Sequence, residues 1–399
     1  MPLEPETQAL LDSVPPPAWL RALLEELVGH NSFTGNKVGV DAVADVVERR
    51  LEELGLRTAC MVDGKTGRHV VARTYGEGGP RVFLIGHSDT VHAPESGFSG
   101  VTPDPEDPDV VRGPGVADMK GGLVVMLAAL TALRDSGRLD GRELVVVVNG
   151  DEEEGAPTSG DLIRVEAEES QLALAFECGR EAADGATTIV TRRRGVGRLK
   201  LKATGSSSHA GTNPGGGASA ILETAQKVGP LHALSDAALE RSVTVGVLRG
   251  GTAGNVVPAE CELELDYRFP DEEAGRDLFD AITEIASDNL LRGPSGRPLV
   301  RTVVTSHLVR PPLVRTDAVA AAAARLIAAG ADLGLRLVEE SRGGSSDAAL
   351  AAEVGCPAVC GLGAVGGDIH TPREWARLSS LGDRARLAAL AIDRFWRGA

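Results

Sequence analysis

Long apolar runs are missing from this chain. None approaches the roughly 18–20 residues that a bilayer-crossing helix needs. The opening MPLEPETQALLDSV is acidic, without the basic start and apolar middle of a secretory signal. Cysteine is sparse: five in 399 residues, odd in number and irregular in spacing, which argues against a disulfide framework. Cys356 and Cys360, in CPAVC, read as small hydrophobes on a buried strand rather than as a redox pair. Net positive charge is absent too. A formal charge of −16 argues against nucleic acid or an anionic membrane as partner, and does not identify a substrate. No internal repeat or low-complexity tract is evident. From these absences the expectation is a soluble, reduced, cytoplasmic protein, and a length of 399 residues favours two domains over a single core.

What is present is patterned. Val40, Val43, Val47, Leu51 and Leu54 form one stripe of a predicted helix over 38–54, with Gly55 placed to end it. The runs 81–86, 143–148, 171–176 and 357–361 are short and almost wholly apolar. Strands of that kind are covered on both faces, as in a parallel α/β sheet. Predicted helices at 121–137 and 345–355 fall between or before them. The middle of the chain alternates instead: SVTVGVL (242–248), CELELDYRF (261–269) and RLKLKAT (198–204) have period two, the mark of a sheet with one buried and one wet face. Two helical patterns, 217–229 and 272–290, separate them, and GSSSHAGTNPGGG reads as a loop. The expected architecture is an α/β domain on a mostly parallel sheet with helices on both faces, interrupted by an inserted α+β, ferredoxin-like domain. The expected boundaries are 1–191 and 305–399 for the first domain and 192–304 for the insertion.

Acid and imidazole side chains follow the apolar runs: His87 and Asp89 in VFLIGHSDTV, Asp118 in GPGVADMKGG, Glu152 and Glu153 in VVVVNGDEEEG, Glu177 in LALAFECG, and His370 in GGDIHTPREW. Each is expected just beyond the C-terminal end of a parallel strand, where loops of an open α/β sheet converge. Any one of these acids taken alone reads as solvated surface. Together, two His and several carboxylates suit a pair of divalent metals with N and O ligands, and a spare carboxylate makes the set hydrolytic. Asp89 is expected to support the His87 ring. Of the adjacent pair Glu152 and Glu153, one can bind metal while the other serves as a base. Asp118 precedes a glycine pair that lets backbone approach closely, and its two oxygens could bridge both metals.

GHSDTV, GPGVADMKGG, NGDEEEG, AFE, SHAG and GGDIHTPREW resemble the signature segments of the dinuclear-zinc exopeptidase and amidohydrolase family, which includes glutamate carboxypeptidase, aminoacylase, acetylornithine deacetylase and succinyl-diaminopimelate desuccinylase. The resemblance runs over nearly the whole chain and is nearest to the glutamate carboxypeptidase branch through GPGVAD, RGGSSDAA and GTAGNVVP. It implies two zinc ions, for which cobalt or manganese could substitute: one held by His87 and Glu177, the other by Glu153 and His370, with Asp118 bridging. It also implies Glu152 as general base, Asp89 supporting His87, and a cis peptide at Asp118–Met119. Ala156 and Pro157 stand where the family often has a small Ser, and Cys178 where it often has Pro. These departures bear on pocket shape more than on metal chemistry.

The inserted domain carries the remaining candidates. By resemblance His209, in SSSHAGT, reaches a partner subunit's active site and stabilises the developing oxyanion, which makes the expected assembly a homodimer through this lid. Asn255 and Arg268 match lid residues that hold the substrate's terminal carboxylate, although Glu262, Glu264 and Asp266 share the strand of Arg268 and could simply pair with it. Gly343 and Gly344, before a helix expected to start near Ser345, offer backbone N–H groups to an anion. The Arg192–Arg194 cluster reads as solvated. The expected reaction is hydrolysis of an N-acyl amino acid or short peptide that releases an amino acid with a free α-carboxylate. The alternatives are an aminoacylase or deacylase of an acetyl- or succinyl- intermediate, and a catalytically dead relative, against which the intact Glu152, Glu153 and His370 argue.

Overall fold

The structure, a computed structural model, describes residues 3–62, 64–76 and 78–398. It divides into two units, one of residues 1–192, 315–341 and 346–399, the other of 193–314 and 342–345.

The first unit is built on a six-stranded sheet. Its spatial order is Arg57–Met61, His69–Arg73, Leu144–Asn149, Val82–His87, Leu172–Ala175 and Ala358–Val359. The last four run parallel, while the first two pair antiparallel and close one edge. Every residue of Val82–His87, Leu144–Asn149 and Leu172–Ala175 is buried, which explains the unbroken apolar runs. Val82, Leu84, Val146 and Val148 point into one core with the helices Lys37–Glu53, Lys120–Asp135 and Leu378–Arg397. Phe83, Ile85, Val145 and Val147 alternate with them and are buried no less, so both faces are covered. The helix Lys37–Glu53 ends before Gly55, whose φ of 84° lies in the left-handed region.

A second, smaller sheet in this unit was not legible in the sequence. It consists of Gly366–Gly367, Trp375–Arg377, Val110–Arg112 and Thr102–Pro103, all antiparallel. Two- and three-residue strands are too short to show a period. The helix expected over 345–355 is also shorter, Ala348–Glu353.

The second unit has the order strand Gly195–Thr204, helix Ala220–His232, strands Ser242–Gly250 and Glu260–Phe269, helix Glu272–Ser287, strand Arg301–Arg310. Its sheet is antiparallel in the order 242–250, 260–269, 195–204, 301–310. The first strand of the motif lies centrally between the third and the fourth, a ferredoxin-like arrangement. Leu199, Leu201, Leu263, Leu265, Leu278 and Ile282 make its core. On the wet face, cross-strand ion pairs join Arg198 to Asp266 (3.6 Å), Lys200 to Glu264 (3.3 Å) and Lys202 to Glu260 (3.2 Å). The stretch read as a loop around His209 contains a short ladder, Ser208–His209 against Val256–Val257.

Among the described residues no helix is long and apolar enough to cross a membrane. All five cysteines are free, and burial pushes the Cys356 thiol up to about 12.

One buried ion pair ties the second unit together. Lys227 and Glu223 are 1% and 0% exposed and 3.1 Å apart. The ammonium also donates to Ala286 O at 2.6 Å and Thr302 Oγ1 at 3.0 Å, while the carboxylate accepts the N–H groups of Leu290 and Leu291 at 2.9 and 2.8 Å. Glu223→Ala leaves a buried cation without its counter-charge and is expected to cost roughly 3–5 kcal/mol, read as a lower urea midpoint. A loss within about 0.5 kcal/mol, as for an ordinary surface change, would show that the pair is not structural.

Candidate active site

Five of the seven candidate side chains in the first unit are presented from ends of the parallel strands. His87 is the last residue of Val82–His87, and Asp89 lies two residues on. Glu152 and Glu153 open a single helical turn, Glu152–Glu154, after Leu144–Asn149, and Glu177 follows Leu172–Ala175. Asp118 and His370 depart from the expectation. Asp118 lies between the strand Val110–Arg112 and the helix Lys120–Asp135, and His370 lies in the connection between Gly366–Gly367 and Trp375–Arg377. The small antiparallel sheet, not the parallel one, delivers both.

These elements meet at Asp118. Its Oδ1 is 3.3 Å from His87 Nε2, and its Oδ2 is 3.1 Å from His370 Nε2. His370 Nε2 is also 3.3 Å from Glu153 Oε2, and Glu177 Oε1 is 3.9 Å from His87 Nε2. One carboxylate thus faces two imidazoles, each with a further carboxylate beside it. Ligand atoms of His87, Asp118 and Glu153 all lie within 4.8 Å of one another. The peptide Asp118–Met119 is cis, as the family resemblance implies. Gly122 permits the helix that follows to come close: a Cβ there would lie 1.8 Å from the carbonyl oxygen of Phe176, next to Glu177. His370 has φ 63°, a left-handed conformation costly for a residue with a side chain and common where function imposes it.

The support around these groups is mostly buried and polar. The carboxylate of Asp89 accepts the N–H of Glu152 (3.2 Å, Oδ1), the N–H of Glu153 (3.2 Å, Oδ2) and the Thr34 hydroxyl (2.8 Å). His87 Nδ1 is 3.0 Å from the Asp89 carbonyl oxygen and 3.4 Å from its Oδ1. Asp89 therefore ties the acidic turn to the strand that carries His87. Beneath that turn, Asp151 accepts from Thr158 and Ser159, and Asn149 donates to Ser159 and Asp347. Sequence reasoning missed Thr34, Asn149, Asp151, Ser159, His92 and Glu374, since small polar residues and lone acids carry no periodic signal.

The electrostatics report a surplus of negative charge. Burial alone would lower the pKa of His87, but hydrogen bonds to Asp118 and Asp89 hold it well above the usual histidine value. Hydrogen bonds to Asp118 and Glu153 push His370 up to about 11. Burial opposes ionisation of Asp118, yet His370 and His87 hold its carboxyl below the usual range. Burial and the charge of Asp118 push Glu153 up to about 8. Nearby, burial pulls Lys120 down to about 7, against the charge of Glu374.

Divalent metals fit these residues. Glu153 Oε1 is buried without a hydrogen-bond partner, a costly state for a carboxylate oxygen unless a cation takes it. The donors are imidazole nitrogens and carboxylate oxygens, the set that suits zinc and its first-row neighbours.

Residues 83–394 match the description Peptidase family M20/M25/M40. The chain belongs to this family. It is 31% identical over 379 residues to carboxypeptidase G2 of Pseudomonas sp. (strain RS-16), covering 92% of this chain and 87% of that one. It is 28% identical over 414 residues to succinyl-diaminopimelate desuccinylase of Methylobacterium radiotolerans, covering 96% and 98%. Among solved structures it superposes on the Bacillus subtilis YXEP protein, a dinuclear metal-binding peptidase of the M20 family, with TM-score 0.68 and 17% identity over 96% of this chain and 99% of that one. This M20 chain is a hydrolase.

The remaining candidates belong to the second unit. His209 is exposed, and its Nδ1 accepts the N–H groups of Gly211 and Thr212 at 3.0 and 3.1 Å. Asn255 is exposed, and its carbonyl accepts from Ala210 N–H. Arg268 does pair with Asp266, through Nε at 2.6 Å and Nη2 at 2.9 Å, and also donates to the Gly343 carbonyl at 3.3 Å. Gly343 and Gly344 lie in a loop, not in a first helical turn, since the helix begins at Ala348. The cluster read as solvated is only partly so. Arg193 is 5% exposed and donates to the carbonyls of Gly344 and Ser345, both at 3.1 Å.

In the metal-free chain the pKa values of His370 and Glu153 are both raised, to about 11 and about 8, which favours their protonated forms at neutral pH. Metal uptake displaces protons, so apparent affinity is expected to rise with pH. Zinc titrations at pH 7 in buffers of differing ionisation enthalpy should show more than one proton released per chain. A buffer-independent enthalpy would contradict the site's charge balance.

Proposed function

We propose that the chain is a dinuclear zinc-dependent carboxypeptidase of the carboxypeptidase G2 type, cleaving an amide bond to release an amino acid with a free α-carboxylate. The observation that carries this reading is the Asp118 carboxylate, with one oxygen toward His87 and the other toward His370. His87 and Glu177 would hold one ion, Glu153 and His370 the other, with Asp118 between them. When bound, the pair supplies an acidified water and a polarised scissile carbonyl.

The protein's own groups do the proton work. Glu152 is assigned as the general base: its half-buried side chain stands next to the ligand Glu153. It takes a proton from the attacking water and returns it to the departing nitrogen as the C–N bond breaks. Asp89 fixes the turn that presents Glu152 and Glu153. His209 is assigned to the developing oxyanion. Its Nδ1 already accepts two backbone N–H groups, so its proton sits on Nε2, the form that donates. In this reading the oxyanion belongs to a partner subunit, which makes the working form a homodimer paired through the lid.

Asn255, Arg268 and the amides of Gly343 and Gly344 are assigned to the substrate's terminal carboxylate. The planar fork of Arg suits that group, and the bond to Asp266 holds the guanidinium in one orientation. Five free thiols suit a reducing compartment such as the cytoplasm. The second reading is a deacylase, favoured by the similarity to succinyl-diaminopimelate desuccinylase over 96% of the chain.

Glu152→Gln is expected to retain wild-type zinc content and lose at least about 100-fold in kcat, the scale of general acid–base catalysis. Near-normal turnover would remove Glu152 from the mechanism. A panel of N-acyl amino acids separates the two readings: release of free glutamate from acyl or peptidyl conjugates supports the carboxypeptidase. Activity confined to small acetylated or succinylated amines replaces it with the deacylase.

A further inference from the structure

Glu374 is a buried carboxylate that the reaction does not use. It is 0% exposed, four residues beyond His370, at the foot of the loop that presents that imidazole. Its side chain reaches across to a different loop. Oε1 accepts the N–H of Ala117 at 2.9 Å and of Asp118 at 3.0 Å. Oε2 accepts the N–H of Gly115 at 3.2 Å and lies 2.7 Å from His92 Nε2. Backbone bonds run alongside, from Gly113 N–H to Glu374 O at 3.3 Å and from Arg112 Nη1 to Arg373 O at 2.7 Å.

Three of these four partners are backbone N–H groups, which only donate, and the fourth is a ring nitrogen that donates once its proton sits on Nε2. Two carboxylate oxygens offer about four lone-pair positions, so an ionised Glu satisfies all four partners and itself. No neutral side chain of this size does the same. Gln would turn an NH2 group toward groups that only donate, and buried donors left facing a donor are costly.

The consequence lies at Asp118. Its backbone N–H is held by a residue of the His370 loop, while its side chain faces His370 at 3.1 Å. His87 sits on a rigid parallel strand and needs no such brace. His370 sits on a loop with left-handed backbone at both Asp368 and His370, φ 51° and 63°. We propose that Glu374, oriented by His92, is a positioning residue that sets the spacing of Asp118 and His370 and thereby builds the Glu153/His370 half of the metal site.

This inference rests on the dinuclear reading, and zinc binding by the full-length chain separates the two. Titration of the metal-free wild type should resolve two ions per chain; fewer than two overturns the dinuclear reading and the inference with it. With two present in the wild type, E374Q is expected to keep one ion within about twofold of wild-type affinity and to weaken the other by tenfold or more. A purely structural role would lower the Tm and leave the ratio of the two affinities unchanged. Both sites at wild-type strength, or both weakened in parallel, in folded E374Q overturns the inference.

If E374Q does not fold, the other end of the bond serves. H92A should weaken the same single ion, and H92Q, which keeps a donor near the Nε2 position, should restore it. Unchanged affinities in H92A likewise overturn the role of Glu374.

Discussion

The geometry of the site depends on one carboxylate being shared between two imidazoles that come from different sheets. His87 arrives on a parallel strand buried on every residue, and His370 on a connection of the small antiparallel sheet. Asp118 lies between them with one oxygen for each. Such an arrangement is unfavourable without positive charge, and in the metal-free chain the pKa values of both histidines and of Glu153 are raised. Two divalent cations held here would meet the same demand and would take up the buried Glu153 oxygen as well.

Buried polar side chains brace the loops and turns around that shared carboxylate. Asp89 caps the N–H groups of the Glu152–Glu154 turn, Asp151 and Asn149 tie the base of that turn to Ser159 and Asp347, and Glu374 holds the backbone on the other side. In each case a buried acid takes hydrogen bonds from donors near its chain neighbours or from the facing loop. Side chains braced in this way keep ligand atoms placed before a metal enters, so less ordering entropy opposes its binding.

The fold was legible wherever periodicity is physical. Almost wholly apolar runs at 81–86, 143–148 and 171–176 mark strands covered on both faces, and alternation at 198–204, 242–248 and 261–269 marks a sheet with a wet face. What was not legible has equally physical reasons. The small sheet is made of strands too short for any pattern, so Asp118 and His370 were expected on the wrong scaffold although the structure brings both to His87. The helix 345–355 was read too long: it spans only Ala348–Glu353, and the Asp347 side chain just before it is engaged by Asn149, 198 residues away in the chain. Arg193 was read as solvated because its partners are backbone carbonyls of a loop 151 and 152 residues distant. Supporting residues such as Thr34, His92 and Glu374 become visible only when the loops they join are seen together.

X-ray absorption on the zinc-loaded chain tests the central claim most directly. A pair of ions bridged by Asp118 gives a metal–metal vector at about 3.5–4 Å, present in the wild type and lost in Asp118→Asn. Zinc bound as an isolated ion, with no second metal at that distance in the fully loaded wild type, would contradict the shared carboxylate as the organising element of the site.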